Sequence, residues 1–331
     1  MGGNAIKNTP TRRYAADEYH TLTEEVMTRL KRAKTNAWRF EVIPAYKEKD
    51  SFGDMDILYS TDNDAPFDVD VVKLLFSPNE IVQNSGVMSF DYKEFQIDLI
   101  HSPSHEEEYA LSYFSWNDCG NLIGKLAHQL GLKHGHNGLH MPIREGNNKF
   151  GNITLTLDHD ETLQFLDLDV KKFNSGFNNL EEIFNFVAAS RYYNPELYKL
   201  ENLNTIARVR DRKRDTYCRF LSFGERWRGP VAPKVTDKSV YIPTILEEFG
   251  KWKQFDQIMT DMAMLKLVKT KFNGDLVMTA TGLSQKVLGE FMKFLRSQNQ
   301  FGYSMIVYLP QETITENVKL EFRNWEKHHG S

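Results

Sequence analysis

Three carboxylates in this sequence stand at spacings that suit phosphoryl chemistry. Asp54 and Asp56 lie two residues apart in Gly-Asp-Met-Asp-Ile-Leu-Tyr, residues 53–59. Side chains alternate between the faces of a strand, so these two point the same way while Met55 and Ile57 point into a core. Asp98 follows the same logic in Phe95-Gln-Ile-Asp-Leu-Ile, facing away from Ile97 and Leu99. Three carboxylates from two neighbouring strands make a dense negative cluster, and like-charge repulsion makes it costly when bare. Hard divalent cations relieve that cost, and oxygen ligands suit Mg²⁺, with Mn²⁺ as an alternative. Two such ions about 3.5–4 Å apart can clamp an in-line displacement at phosphorus. One would activate an attacking hydroxyl and the other would hold a triphosphate. An Asp-x-Asp pair in a strand is also common on a merely solvated face. Gly53 before the pair and the second carboxylate strand after it favour the functional reading.

The surrounding elements have to hold these groups. Ala15 to about Thr35 reads as an amphipathic helix, with Tyr19, Leu22, Val26 and Leu30 on one face. Residues 38–43 read as a strand stopped by Pro44, and residues 54–59 as a second strand. The apolar pattern of 67–76 fits a helix or a strand. Residues 88–92 and 94–100 read as two paired strands. Helices are expected over 106–115, 119–130, 180–189 and 286–296, with one long helix over 196–220. Short strands are expected over 153–157 and 303–309. The loop-rich stretch 230–243 reads as a linker.

Past the carboxylates, the order of residues resembles a known family. The GDMDILY and IDLI segments, followed by Tyr113-Phe114, Asn121, Gly131 and Asn137, are similar to the palm and nucleotide-selecting subdomain of family X DNA polymerases, in the nucleotidyltransferase superfamily. The similarity covers roughly residues 38–145. It implies an α+β fold: a small mixed or antiparallel palm sheet with flanking helices, then a mainly helical C-terminal part. The implied segments are 1–102 for the N-terminal helix and palm, 103–175 for nucleotide selection, and 176–331 for a helical part that would bind the acceptor. The resemblance further implies transfer of a nucleoside monophosphate from a nucleoside triphosphate to a nucleic-acid 3′-hydroxyl, with Asp54, Asp56 and Asp98 holding two metal ions. Gly53 would let the backbone pass close to phosphate. Tyr113 and Phe114 would pack on the sugar, Asn121 would reach the base, and Lys125 would touch the template side.

The chain departs from the family at informative places. Ile43 and Pro44 stand where the family has the Gly-Ser pair that binds triphosphate, and Pro44 has no backbone donor. Lys47 keeps a charge where the family has a phosphate-binding Arg. Gly2 and Gly3 could supply a substitute anion nest, with Arg12 and Arg13 adding charge. Trp116 replaces a glycine after the Tyr-Phe pair, which reshapes the expected sugar gate.

In the second half, Arg208, Arg210, Arg212 and Arg214 crowd one expected helix near Tyr192, Tyr193 and Tyr217. Basic and aromatic residues together suit a single-stranded nucleic acid, although Asp211 and Asp215 also fit a solvated, ion-paired face. Thr279-Ala-Thr-Gly-Leu and the helix after it resemble a late segment of tRNA nucleotidyltransferases, so an RNA 3′ end is the alternative acceptor. There, Thr281 would cap the helix and Gly289 would allow close packing. A third reading is a nucleic-acid-binding protein that kept the palm without its activity. His134, His136 and His140 have a zinc-like spacing but no Cys or acidic partner, and the polymerase-like alignment accounts for them better. The net charge of −4 excludes a generally basic nucleic-acid coat, so any such contact must be a local patch. Two cysteines are too few for a disulfide framework, and no apolar run approaches a membrane span. The expected setting is the cytoplasm.

Overall fold

The structure is a computed structural model and describes residues 5–32, 38–146 and 148–329. Its contacts divide the chain into two units, residues 1–142 with 152–249, and residues 143–151 with 250–331.

The first unit begins with a two-residue strand β1 (Tyr14–Ala15) and helix α1 (Ala16–Arg32). Strands β2 (Trp38–Val42), β3 (Ser51–Phe52) and β4 (Asp54–Thr61) follow, then α2 (Val69–Phe76), β5 (Ile81–Asn84), β6 (Val87–Tyr92) and β7 (Phe95–His101). β1 pairs with β3, and the other five form a mixed sheet in the order β2-β4-β7-β6-β5. Only β4 and β7 run parallel, at the centre; every other neighbouring pair is antiparallel. The expected α+β class with a helical C-terminal part is therefore what the chain adopts. The ambiguous stretch 67–76 resolves to helix because Asp68 caps it, its side chain accepting from the Asp70 N–H. β5 had no clear sequence signal; it is an exposed edge strand without an apolar alternation.

The sheet's two faces differ in kind. Met55, Ile57 and Tyr59 of β4 join Phe95, Ile97 and Leu99 of β7 and Met88, Phe90 and Tyr92 of β6 in one core. The apolar stripe of α1 (Tyr19, Leu22, Val26 and Leu30) and Val72 and Phe76 of α2 belong to the same core. The alternate residues, carboxylates among them, occupy the other face. β6 and β7 are joined by a tight turn at Lys93-Glu94, both with positive φ (51° and 58°). Beyond the sheet come α3 (Glu107–Phe114), α4 (Cys119–Gln129), β8 (Lys133–Gly135), β9 (Gly138–Glu145) and β10 (Asn148–Thr156), the last three forming a small sheet of their own. Helices α5 (His159–Phe165), α6 (Val170–Ser175), α7 (Leu180–Ala188), α8 (Thr205–Asp211), α9 (Asp215–Arg226) and α10 (Ile242–Glu248) complete the unit.

The expected long helix over 196–220 is broken. Two short 3₁₀ turns precede α8, and the chain leaves helical geometry between Asp211 and Asp215. Asn204 caps α8, accepting from the Ala207 N–H, and so forces a start there. The stretch 230–243 is not a free linker. Ala232 exchanges hydrogen bonds with Tyr193 and Asn194, and Gln129 Nε2 donates to the Pro233 carbonyl.

The second unit takes in the adjoining ends of β9 and β10, within 143–151, and helices α11 (Trp252–Lys271), α12 (Gly274–Thr281), α13 (Gln285–Ser297), α14 (Tyr303–Ile306) and α15 (Gln311–His329), which bury their own cluster, including Phe272, Phe291, Leu295, Ile314 and Trp325. The expected strand over 303–309 is in fact α14 and a turn. Its apolar run is short, and Ile306 is the residue it buries. Thr281 ends α12 rather than capping α13, and Gly282 closes that helix at φ 73°. Gly289 has open space around it, so it mediates no close packing. Among the described residues no helix is long and apolar enough to cross a membrane.

Close approach of α3 and α4 requires Gly120. A Cβ there would lie 2.1 Å from the Tyr113 carbonyl oxygen. Gly120→Ala should lower unfolding stability by about 1–3 kcal/mol in a urea titration, as overpacking of a closed contact does.

Candidate metal centre and adjoining cleft

The parallel register sets the geometry. Asp56 stands opposite Asp98, and Asp54 stands opposite Gln96. All three carboxylates therefore share one sheet face, and one ligand oxygen from each lies within 4.8 Å of the others. Among the described residues this is the one set of His, Cys, Asp or Glu atoms close enough to share an ion. His134, His136 and His140 are not brought together as ligands. His134 is buried with Nδ1 on the Gly120 carbonyl, His140 Nδ1 meets Thr154 Oγ1, and His136 stacks on Phe114.

Burial raises the Asp56 carboxyl well above its ordinary range, and the charges of Asp54 and Asp98 add to this. Asp98 is 9% exposed, and burial, with a smaller push from Asp54, raises it to about 6. Gln96 opposes that shift by donating Nε2 to both Asp98 oxygens at 2.9 Å. Ser89, across the antiparallel pair, donates to the same carboxylate. Gln96 is in turn held by the N-terminal segment, whose Ala5 and Ile6 N–H groups donate to its Oε1 at 2.9 and 3.3 Å. The segment is anchored again where the Lys7, Asn8 and Thr9 N–H groups converge on Glu80. Gly2 and Gly3, the expected phosphate nest, lie outside the described residues.

A cleft of about 640 Å³ opens next to Asp54 and Gly53. Arg12, Arg13, Lys49 and Arg219 bring positive charge to it, and Asp50, Asp118 and Asp215 bring negative charge. Lys49 is the cation tied most closely to the carboxylates. Burial lowers its pKa, while the nearby charges of Asp54 and Asp56 hold it up. Its Nζ also lies 4.4 Å over the Phe52 ring. Lys47 is exposed and does not line the cleft; its N–H donates to the Phe177 carbonyl. The resemblance pointed to Lys47, and Lys49, two residues on, was not singled out. Ile43 and Pro44 continue the edge of β2: the Ile43 N–H donates to the Asp56 carbonyl, and the Pro44 carbonyl accepts from Trp116. That hydrogen bonding occupies the backbone where a phosphate loop would otherwise form.

The residues to which the resemblance would give nucleotide selection lie elsewhere. Tyr113, Asn121 and Lys125 line a second cavity that shares no lining residue with the cleft. Trp116 and Asn117 turn the chain between α3 and α4 with φ 63° and 62°, a costly conformation for so bulky a side chain. Trp116 packs against Gly176, Phe173 and Phe177, which takes it out of any sugar gate. Of the four arginines, Arg210 donates to Asn121 Oδ1 and to Asp211, Arg214 pairs with Asp118, and Arg208 donates to the Leu203 carbonyl. Arg212 is exposed. The break after α8 keeps Arg214 off the helix that carries Arg208 and Arg210. Lys125, expected toward a template, instead meets Asp211 at 3.1 Å, and Asp211 is fully buried.

No known family model matches the chain, and no curated protein matches it.

The carboxylate cluster predicts a pH dependence. Asp98 binds its proton more tightly folded than unfolded, so its contribution is full below about pH 4 and is lost as pH rises through 6. In metal-free protein this should cost on the order of 3 kcal/mol by pH 7. Urea unfolding in EDTA from pH 4 to 7 should show the decline. Asp98→Asn should make the decline shallower and leave the part that Asp56, also raised, contributes, and Mg²⁺ should offset the decline in the wild-type chain more than in the variant.

Proposed function

We propose that this protein is a metal-dependent nucleotidyltransferase. It would move a nucleoside monophosphate from an NTP or dNTP to the 3′-hydroxyl of a nucleic-acid acceptor. The acceptor oxygen bonds to the α-phosphorus as the bond to pyrophosphate breaks. One observation carries this reading: three carboxylates converge within 4.8 Å on one sheet face, beside a cleft lined by Arg12, Arg13, Lys49 and Arg219.

The donor set fits divalent cations of the Mg²⁺ or Mn²⁺ type. It is all oxygen, half-buried, and more negative than its surroundings compensate. Asp54, Asp56 and Asp98 would hold two ions, whose chemistry is charge neutralisation at phosphorus and activation of the hydroxyl. The protein's own groups do the rest. Gln96 and Ser89 fix the orientation of Asp98. Lys49, partly desolvated, sets a fixed positive charge where triphosphate oxygens would lie, which suits developing charge at phosphorus. Arg13 donates to the Ser51 carbonyl and hydroxyl, which holds its guanidinium at the cleft rim.

A specific observation favours the RNA-end alternative over a templated polymerase. Asn121 and Lys125, which the resemblance would give to base and template, are bonded to Arg210 and Asp211 of the same chain. A template strand would have to displace both contacts.

Asp54→Asn and Asp56→Asn should each reduce Mg²⁺-dependent incorporation of labelled nucleotide by roughly 10²-fold or more while leaving the circular dichroism spectrum unchanged. Lys49→Met should raise the KM for nucleotide more than Lys47→Met does. Full activity in either aspartate variant would overturn the mechanism. Assays with ribo- and deoxynucleotides, on primed DNA and on tRNA, identify the acceptor.

A further inference from the structure

The second cavity, about 490 Å³, is large enough for a nucleotide-sized ligand. Its walls come from α4, β8, the residues leading into α8, and the 234–238 loop. Two properties set it apart. Lys133, Lys234 and Lys238 line it, and among the described residues none of the three is in an ion pair with a carboxylate. Glu196 is the one carboxylate in the lining, and it pairs with Lys199. The cavity is therefore strongly positive.

The second property is a set of buried polar atoms that lack partners. Among the described residues Asn121 Nδ2, Gln129 Oε1 and His134 Nε2 find no hydrogen-bond partner, and all three residues line this cavity. Gln129 is 2% exposed and His134 7%. Each side chain is already oriented by its other end. Asn121 Oδ1 accepts from Arg210, Gln129 Nε2 donates to the Pro233 carbonyl, and His134 Nδ1 lies on the Gly120 carbonyl. Burial drives the His134 pKa down to about 3, so the ring is neutral and Nε2 is an acceptor. What remains is one donor and two acceptors, each costly to bury unmatched. A planar heterocycle with both donors and acceptors would satisfy them, and phosphate would meet the lysines. Tyr113 offers an aromatic edge in the same wall.

We propose that this cavity binds a phosphorylated nucleoside of its own, base toward Asn121, Gln129 and His134 and phosphate toward Lys133 and Lys234. The site uses none of the three aspartates, so it stands or falls apart from the transfer reaction. The nucleotide is either free or the end of a strand; the recognition chemistry is the same.

The test is calorimetric titration of the full chain in EDTA with ATP, GTP, CTP, UTP and their monophosphates, with a short oligonucleotide, and with inorganic tripolyphosphate. At least one nucleotide should bind without metal. The double variant Lys133→Glu with Lys234→Glu changes two exposed residues and should weaken that binding at least 10-fold. Gln129→Met should alter the preference among bases but leave tripolyphosphate binding unchanged. Asp54→Asn with Asp56→Asn should bind as the wild type does. Tighter binding of the oligonucleotide, sensitive to the same lysines, assigns the nucleotide to a strand end; tighter mononucleotide binding assigns it to a free ligand. No metal-free binding, or equal binding by the lysine variant, overturns the proposal. Loss in the aspartate variant alone also overturns it, because the nucleotide would then lie in the other cleft. Tripolyphosphate binding as tight as the best nucleotide would overturn the nucleoside assignment.

Discussion

The parallel pairing of β4 with β7 is the constraint on which the rest depends. It places Asp56 directly beside Asp98. The same alternation that buries Met55, Ile57, Ile97 and Leu99 forces the carboxylates onto the opposite face. A one-residue slip would exchange the two sets and bury the charges, so the apolar core holds the acidic cluster in place. The repulsion is then met piecemeal. Gln96 and Ser89 donate to Asp98, Lys49 lies near Asp54 and Asp56, and burial pushes the Asp56 carboxyl well above its ordinary range. These measures reduce the charge density without cancelling it, which is what a cation site requires.

A second set of charges ties the helical part of the first unit to α4. Buried Asp211 receives Lys125 from α4 and Arg210 from its own helix, and burial and these partners pull its pKa in opposite directions, with a net lowering. Removing either cation would leave a buried carboxylate undercompensated, which is costlier than the pair is stabilising. Arg214 reaches Asp118 at the start of α4. These contacts form a wall whose Asp118 faces the cleft and whose Arg210 faces the second cavity. Arg210, Arg214 and Lys125 thus have partners within the molecule, while Arg212 is exposed.

Much of the fold was legible because periodicity records burial. The stripe of α1 and the alternation in β4 and β7 follow from single-residue chemistry. The carboxylate face was legible for the same reason. Lys49, Gln96 and Ser89 were not singled out, although Gln96 shares a face with Asp98 by the same two-residue spacing. Their roles depend on long-range register and on a loop path that no local pattern encodes. The fate of Arg208, Arg210 and Arg214 was hidden because it rests on a helix break, fixed by the Asn204 cap and the burial of Asp211. Residues 303–309 misled because a short apolar run does not distinguish a strand from a helical turn.

The strap that begins at Ala5 carries a consequence in time. Its hydrogen-bond partners, Glu80 and Gln96, lie 71 to 91 residues further along the chain. During synthesis the strap has nothing to bind until Glu80 has emerged, and its Ala5 and Ile6 N–H groups must wait for Gln96 in β7. Closing so long a loop is entropically expensive, and contacts of that separation form late. The carboxylate Asp98 is therefore oriented only after the sheet is complete. A nascent chain passes through an interval in which its core is formed and the orientation of its carboxylate cluster is not.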